Sequence, residues 1–286
     1  MTRVRRSALA ALLLLLPGPL AGQALITQPQ RYLLSTEVFD GRALWVQPAG
    51  LARHREASIG ASLTGVDRDG VIKLDQVGLT LISGGLGLGW QRAELPDGSS
   101  ISQYAVGAGL GDLKRSIGVT RRWMRGDRVK DDAWDVGARL VPARALELSV
   151  VLRDIGSPLV RAPSGAPAGS DTTYFTTLVP GAALRLLGGH ARLAADWEIV
   201  TKNWGTSAFR LGAGVALPFN LGFTMRAEFS PNFDRRDLAL SLTWGGSGAR
   251  VTGFASKAVD ADARYAGLWG SAYRLYDQPR RGGLGH

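Results

Sequence analysis

The sequence predicts an all-β fold: a transmembrane antiparallel β-barrel of about fourteen strands with an N-terminal plug segment. Three observations predict it. After residue 55, segments of about ten residues alternate apolar side chains with small or polar ones. The connections between these segments alternate between short and long. An export-type leader precedes them, and the 286-residue chain has no cysteine.

The leader comes first in chain order. Arg3, Arg5 and Arg6 precede an apolar run from Ala8 to Leu16, then Pro17-Gly18-Pro19 and the small-residue site Gly22-Gln23-Ala24. This is the pattern of a secretory signal peptide over 1–24, with cleavage after Ala24. The run is shorter than the roughly 20 residues a bilayer span needs. Export without cysteine argues against a disulfide-stapled secreted domain. A barrel needs no disulfides, because its closed ladder satisfies every backbone group.

Residues 25–54 lack clean alternation. Leu44, Trp45, Val46 and Leu51 make this stretch too apolar for a disordered extension. Its position before the barrel fits a plug lying in the lumen.

Strands are expected at 55–64, 73–83, 85–93, 101–111, 113–124, 132–141, 145–154, 172–186, 190–200, 206–217, 219–229, 236–245, 248–256 and 265–276. Segment 219–229 shows the pattern. Phe219, Leu221, Phe223, Met225, Ala227 and Phe229 alternate with Asn220, Gly222, Thr224, Arg226 and Glu228. A strand sends successive side chains to opposite faces, so one face is oily and the other polar. The barrel therefore occupies 55–276, and 277–286 is a periplasmic tail. Whether 265–276 closes the barrel is open at this stage.

Short links fall near Gly84, Asp112, Ala143, Gly188, Pro218 and Gly246. Long ones are expected at 65–72, 94–100, 125–131, 155–171, 201–205, 230–235 and 257–264. Short periplasmic turns and longer extracellular loops are the outer-membrane convention. The loop 155–171 is the longest and the best candidate for a lid or a partner contact.

The outward face includes Ile59, Leu63, Leu79, Leu81, Leu148, Val150, Leu193, Leu211, Leu238, Leu240 and Leu242. The inward face carries Ser58, Asp135, Arg139, Glu147, Arg153, Arg185, Arg192, Asp196, Glu198, Arg210, Arg226 and Glu228. Arg or Lys facing lipid at the midplane costs ~2–4 kcal/mol, which places these charges in a wet lumen. Gly87, Gly89, Gly118, Gly137, Gly212 and Gly214 share that face, leaving room for a plug or ligand or letting strands curve. Trp90, Trp123, Trp134, Trp197 and Trp204 near one end, and Trp244 near the other, form aromatic girdles.

The stretch Ala43-Leu44-Trp45-Val46-Gln47-Pro48-Ala49-Gly50-Leu51-Ala52 resembles the Asn-Pro-Ala-Gly-Leu segment that precedes the first strand in the long-chain fatty-acid transporter superfamily of outer-membrane barrels. That group includes the outer-membrane shuttle protein of type IX secretion. Strands such as Ala105 to Gly111 and Ser116 to Trp123 are similar in style. The resemblance implies a fourteen-stranded barrel with an N-terminal hatch, and fatty-acid-like ligands. Gln47 stands where the superfamily has Asn, and the loops here are compact.

The chemistry that is missing also bounds the function. His54, His190 and His286 show no metal-type spacing. Asp67/Asp69 and Asp260/Asp262 fall in expected loops and offer too few oxygens for calcium. Gly85-Leu86-Gly87-Leu88-Gly89 lacks the following helix of a dinucleotide loop and reads as a strand with inward glycines. No cofactor, no metal and no catalytic residues are expected. The formal net charge is +10, but it is scattered, with no basic helix, which excludes nucleic acid as the expected partner. Contact with outer-membrane lipid and lipopolysaccharide is the expected use.

Arg192, Asp196 and Glu198 share one strand face, with Arg210, Arg226 and Glu228 on the next two strands. Opposite charges on adjacent strands pair across a ladder. Two roles are open: a network that fills the lumen and holds the plug, or arginine forks that bind a carboxylate headgroup. The candidate ligand residues in lumen or plug are Trp45, Pro48, Arg139, Arg153, Arg192, Arg210 and Arg226. The expected function is binding or passage of small hydrophobic molecules through a plugged lumen in the bacterial outer membrane. Barrel-assembly machinery is the expected partner during biogenesis. The competing reading is a non-transporting scaffold or escort for a secreted or periplasmic protein.

Overall fold

The structure is a computed structural model that describes residues 28–53, 56–68, 70–94, 98–126, 129–161, 171–246, 248–259 and 263–275. The expected signal peptide, His54, His286, Asp69, Asp260, Asp262 and the C-terminal tail lie outside them.

Fourteen strands close into one antiparallel barrel. They are β1 (Glu56–Arg68), β2 (Val71–Ser83), β3 (Leu86–Glu94), β4 (Ser100–Gly111), β5 (Arg115–Gly126), β6 (Val129–Ala143) and β7 (Leu146–Ile155). Two short strands, β8 (Leu159–Val160) and β9 (Thr172–Thr173), follow. The barrel resumes with β10 (Thr177–Leu186), β11 (Ala191–Val200), β12 (Ala208–Leu217), β13 (Leu221–Phe229), β14 (Arg235–Gly245), β15 (Ala249–Ala258) and β16 (Arg264–Leu275). β16 pairs with β1 from Glu56↔Leu275 to Asp67↔Arg264, so the expected last strand is the closing one. Each strand pairs with its neighbours in the ring, which leaves no exposed sheet edge.

Alternation decides the facing. Leu63, Leu79, Leu148, Leu193, Leu211, Leu240 and Leu242 are exposed on the outside, and their neighbours Thr64, Thr80, Glu147, Ala194, Arg210 and Ser241 are buried. A continuous apolar exterior on a closed barrel is the lipid-facing band of a transmembrane barrel. Placing Arg at Leu240 should therefore cost ~2–4 kcal/mol of folded-state stability in bilayers. Thr243→Arg, on the opposite face of the same strand, should cost under about half of that by the same depth rule. Equal losses in a urea-refolding series would show the facing to be wrong.

The structure corrects the expected links. Residues 65–72 and 125–131 are largely strand, not loop: β1 reaches Arg68, β2 starts at Val71, β5 reaches Gly126 and β6 starts at Val129. Polar residues on both faces suggested loops, but strands that rise past the lipid into water tolerate them. Asp67 accordingly sits on β1. The register shifts between Thr64 and Gly65, where Asp75 is the extra residue of β2, and the bulge re-aims Leu74 and Ile72 to the outside. At the other end, Phe219 and Asn220 are turn rather than strand, with φ of 63° and 59°. That is the left-handed pair a tight hairpin requires. In the turn after β4, the Asp112 carboxylate accepts the amides of Lys114 at 2.7 Å and Arg115 at 2.9 Å. Those amides hold its carboxyl below the usual carboxylate range.

The expected strand 172–186 divides. Its first part, β9, pairs with β8 rather than with the barrel. Val160 and Tyr174 then pack on the inner side chains Ile101, Met124 and Ala133 near the loop end of β4–β6. Apolar burial draws Val160 and Tyr174 over one side of the mouth.

Charge also occurs on the outer face near the loop end. Arg121 pairs with Asp132 at 2.8 Å and lies 5.0 Å and 5.2 Å over the rings of Trp123 and Trp134. An ion pair set among girdle aromatics belongs at a headgroup level.

Candidate functional site

Residues 28–53 lie within the ring of strands. They form a 3-10 turn at Gln28–Arg31, one α turn, α1 (Ala43–Val46), and a second 3-10 turn at Pro48–Arg53. Inner side chains hold the segment on every side. Gln28 N donates to Gln76 Oε1 of β2 at 2.9 Å, and Gln28 Nε2 to the Leu63 carbonyl of β1 at 2.9 Å. Ser35 N donates to Asp196 of β11 at 2.6 Å, and Ser35 Oγ lies 2.6 Å from Ser149 Oγ of β7. Arg226 of β13 donates to the Gln30 carbonyl at 2.5 Å. Arg42 Nη1 donates to Thr252 of β15 at 3.3 Å.

One side of this contact is apolar and glycine-rich. Leu44, Trp45 and Leu51 are almost wholly buried against β2–β5. A Cβ at Gly89 would meet Trp45 Cζ2 at 2.5 Å and Leu44 Cδ2 at 2.6 Å, so only glycine admits the indole there. At Gly118 a Cβ would strike the backbone carbonyl of Pro48. Of the six inner glycines read from the sequence, Gly87, Gly89, Gly118, Gly137 and Gly212 face the segment, and Gly214 faces only the wall. Gln47 Nε2 reaches the carbonyls of Ala138 at 3.3 Å and Val150 at 3.4 Å, bridging β6 and β7. Beside Trp45, a space of about 10 Å³ lined by Thr80, Gln91 and Trp269 has room for about one water.

The other side is charged. Arg153 of β7 meets Glu198 of β11 at 3.5 Å, and Glu198 meets Arg210 of β12 at 2.5 Å. Arg210 meets Glu228 of β13 at 2.8 Å, and Arg226 meets Glu228 at 3.6 Å and Asp237 of β14 at 3.5 Å. A second cluster centres on Glu147, which is fully buried. It accepts from Arg139 and from Arg185 at 2.9 Å, with Arg192 at 3.7 Å. Arg192 also donates to the Thr36 carbonyl of the segment. A third joins Arg122 to Asp135 at 2.8 Å and Asp154 at 2.5 Å.

The structure thus places Trp45 and Pro48 at the glycine wall, and Arg153, Arg210 and Arg226 in one ladder. Arg139 and Arg192 stand apart from them, at Glu147. Asp196 leaves the expected ladder and binds Ser35 instead. Sequence reasoning missed Glu147 as a hub, because its arginines come from β6, β10 and β11. It also missed the segment's own charges. Arg42 makes paired bonds to Asp40 at 2.8 Å and 2.6 Å and lies 4.1 Å over the ring of Trp269. An Asp and an Arg two residues apart in an apolar stretch were the available signal.

Together these features define a closed antiparallel barrel with an apolar exterior, against whose inner face residues 28–53 are packed. No protein-family model matches the chain, and no curated protein matches it in sequence. Solved structures do match. The CymD monoaromatic hydrocarbon channel superposes with a TM-score of 0.55 at 10% identity, over 86% of this chain and 95% of that one. The Ralstonia pickettii toluene transporter TbuX superposes with a TM-score of 0.52 at 9% identity, over 86% and 96%. At identities of 10% and 9% the likeness is one of fold alone.

Proposed function

We propose that this chain is a barrel of the bacterial outer membrane that binds or passes small hydrophobic molecules, with residues 28–53 as a displaceable plug. The observation that carries the reading is the apolar seam between Leu44, Trp45 and Leu51 and the glycines of β3–β5. A segment lifted from that seam leaves a smooth apolar track, the surface a hydrophobic molecule needs. Barrels of the same fold are, by name, a monoaromatic hydrocarbon channel and a toluene transporter, which supports an apolar cargo. The resemblance of 43–52 to the fatty-acid transporter superfamily supports the same class.

Trp45 and Pro48 are the residues assigned to the path. Arg153, Arg192 and Arg226 are assigned to holding the plug through the carbonyls of Val46, Thr36 and Gln30, and Arg139 through the ring of Phe39, while Arg210 is assigned to bracing the wall between Glu198 and Glu228. Displacing the segment frees Arg192 and Arg226 from the Thr36 and Gln30 carbonyls. A fatty-acid carboxylate then has two partners, whereas a neutral hydrocarbon needs none. Outer-membrane lipid, lipopolysaccharide and the barrel-assembly machinery are its proposed partners, and no catalytic step is assigned.

The second reading is a non-transporting scaffold or escort for a secreted or periplasmic protein. The three buried ion-pair clusters favour it, because they brace a closed lumen. Native mass spectrometry on protein gently extracted from its own membrane separates the two. A stoichiometric apolar molecule is expected. An empty barrel carrying a specific protein partner would establish the scaffold instead.

A further inference from the structure

The barrel's outer wall carries a groove of about 480 Å³ between β14 and β2, near the loop end. This volume falls within the range of small-molecule sites. The strand register explains it. Leu240, Ala255, Ala266 and Gly65 are partners in one row across β14, β15, β16 and β1. Three small residues in succession make a floor. Leu238 and Leu240 wall it on one side and Ile72 on the other, where the Asp75 bulge turns Ile72 outward.

The next row toward the loops is charged. Lys257, Arg264 and Asp67 are consecutive partners and line the groove's upper edge. Arg235 stands exposed above Leu238 on the same outer face, opposite Phe229. Arg235, Lys257 and Arg264 make no ion pair among the described residues, so three cations and one acid crown an apolar groove. The girdle tryptophans of this end, Trp90, Trp123, Trp134, Trp197 and Trp204, all lie on β3, β5, β6, β11 and the loop after β11. Among the described residues, no indole lies on the outer face at the loop end of β14, β15, β16, β1 or β2.

We infer that the groove is a specific site for a phosphate-bearing, multi-chain glycolipid of the outer leaflet. Its acyl chains lie on Ala255, Ala266 and Gly65, and its phosphate meets Lys257 and Arg264. The inference rests on the outer-membrane reading above and narrows its lipid partner to one sector. The groove opens onto the lipid-facing side below the loops, where lipid is the neighbour of that face. Two unpaired cations one strand apart match a phosphate. Burial of acyl chain on the small-residue floor supplies the rest.

The test uses the full barrel in detergent, titrated with bisphosphorylated lipid A and followed by native mass spectrometry. One tightly held lipid per barrel is expected. Two variants, Lys257→Gln/Arg264→Gln and Ala266→Phe, should each weaken it by tenfold or more, while Arg115→Gln at the turn end leaves it unchanged. Heat-modifiable migration on gels confirms that each variant is a folded barrel. Unchanged binding in both groove variants overturns the site, as does equal competition by phosphatidylethanolamine. Displacement by inorganic phosphate at millimolar level would show a simple anion site and also overturn it. Failure of the unmodified chain to give a heat-modifiable barrel would instead overturn the outer-membrane reading.

Discussion

Glu147→Ala should destabilise the barrel by about 3–5 kcal/mol, the range for breaking a buried ion pair by removing one partner. Glu147 is fully buried and is the shared acceptor of Arg139, Arg185 and Arg192. Its removal leaves three guanidinium groups around an uncompensated space, in an interior where an unpaired charge is far costlier than in water. One of them, Arg192, also anchors the segment through the Thr36 carbonyl, so the loss should spread to the segment. Glu147→Gln keeps the shape and two acceptor positions on one oxygen, and should cost less. Denaturant unfolding in detergent, followed by tryptophan fluorescence, gives both values. A cost below about 1 kcal/mol for Glu147→Ala, the range of exposed pairs, would mean that the cluster is open to water.

Gly118→Val should drive the segment out of the barrel. The added Cβ would occupy the position of the Pro48 carbonyl, and the obstacle is backbone on both sides. Overpacking of this kind costs about 1–3 kcal/mol where side chains can shift, and more where they cannot. The segment can relieve it by leaving, so the variant should raise bilayer conductance and expose Arg42 to trypsin. Gly222→Val is the control, since a Cβ there meets nothing nearer than Thr243 Cβ at 3.9 Å. A Gly118→Val barrel as closed and protease-resistant as the control would contradict the seam.

The fold was legible because its signal is local. A period of two, read strand by strand, located fourteen strands and their facing to within a few residues, as in 219–229 against β13 (Leu221–Phe229). The rims were less legible. Asp67, Arg68, Ile72, Lys130 and Asp131 fall in stretches that look like loops, yet they sit on strands that have left the lipid. Partnership was the least legible. The Glu198–Arg210–Glu228 ladder could be read because its members lie on successive strands. Glu147 and Arg192 could not, since their meeting depends on barrel curvature and on the path of 28–53. The inner glycines pointed to something close to the wall. The identity of that neighbour, Leu44, Trp45 and Pro48, follows only from three-dimensional packing.

The central claim is that residues 28–53 must move for cargo to pass. Ser35 Oγ and Ser149 Oγ lie 2.6 Å apart, and the chain has no cysteine of its own. The double variant Ser35→Cys/Ser149→Cys can therefore lock the segment to β7 with a single reducible bond. Uptake of toluene and of oleate into cells or vesicles carrying the oxidised barrel is the measurement. The account predicts a block that a reductant releases. Uptake that is the same oxidised and reduced would show that the segment is no plug.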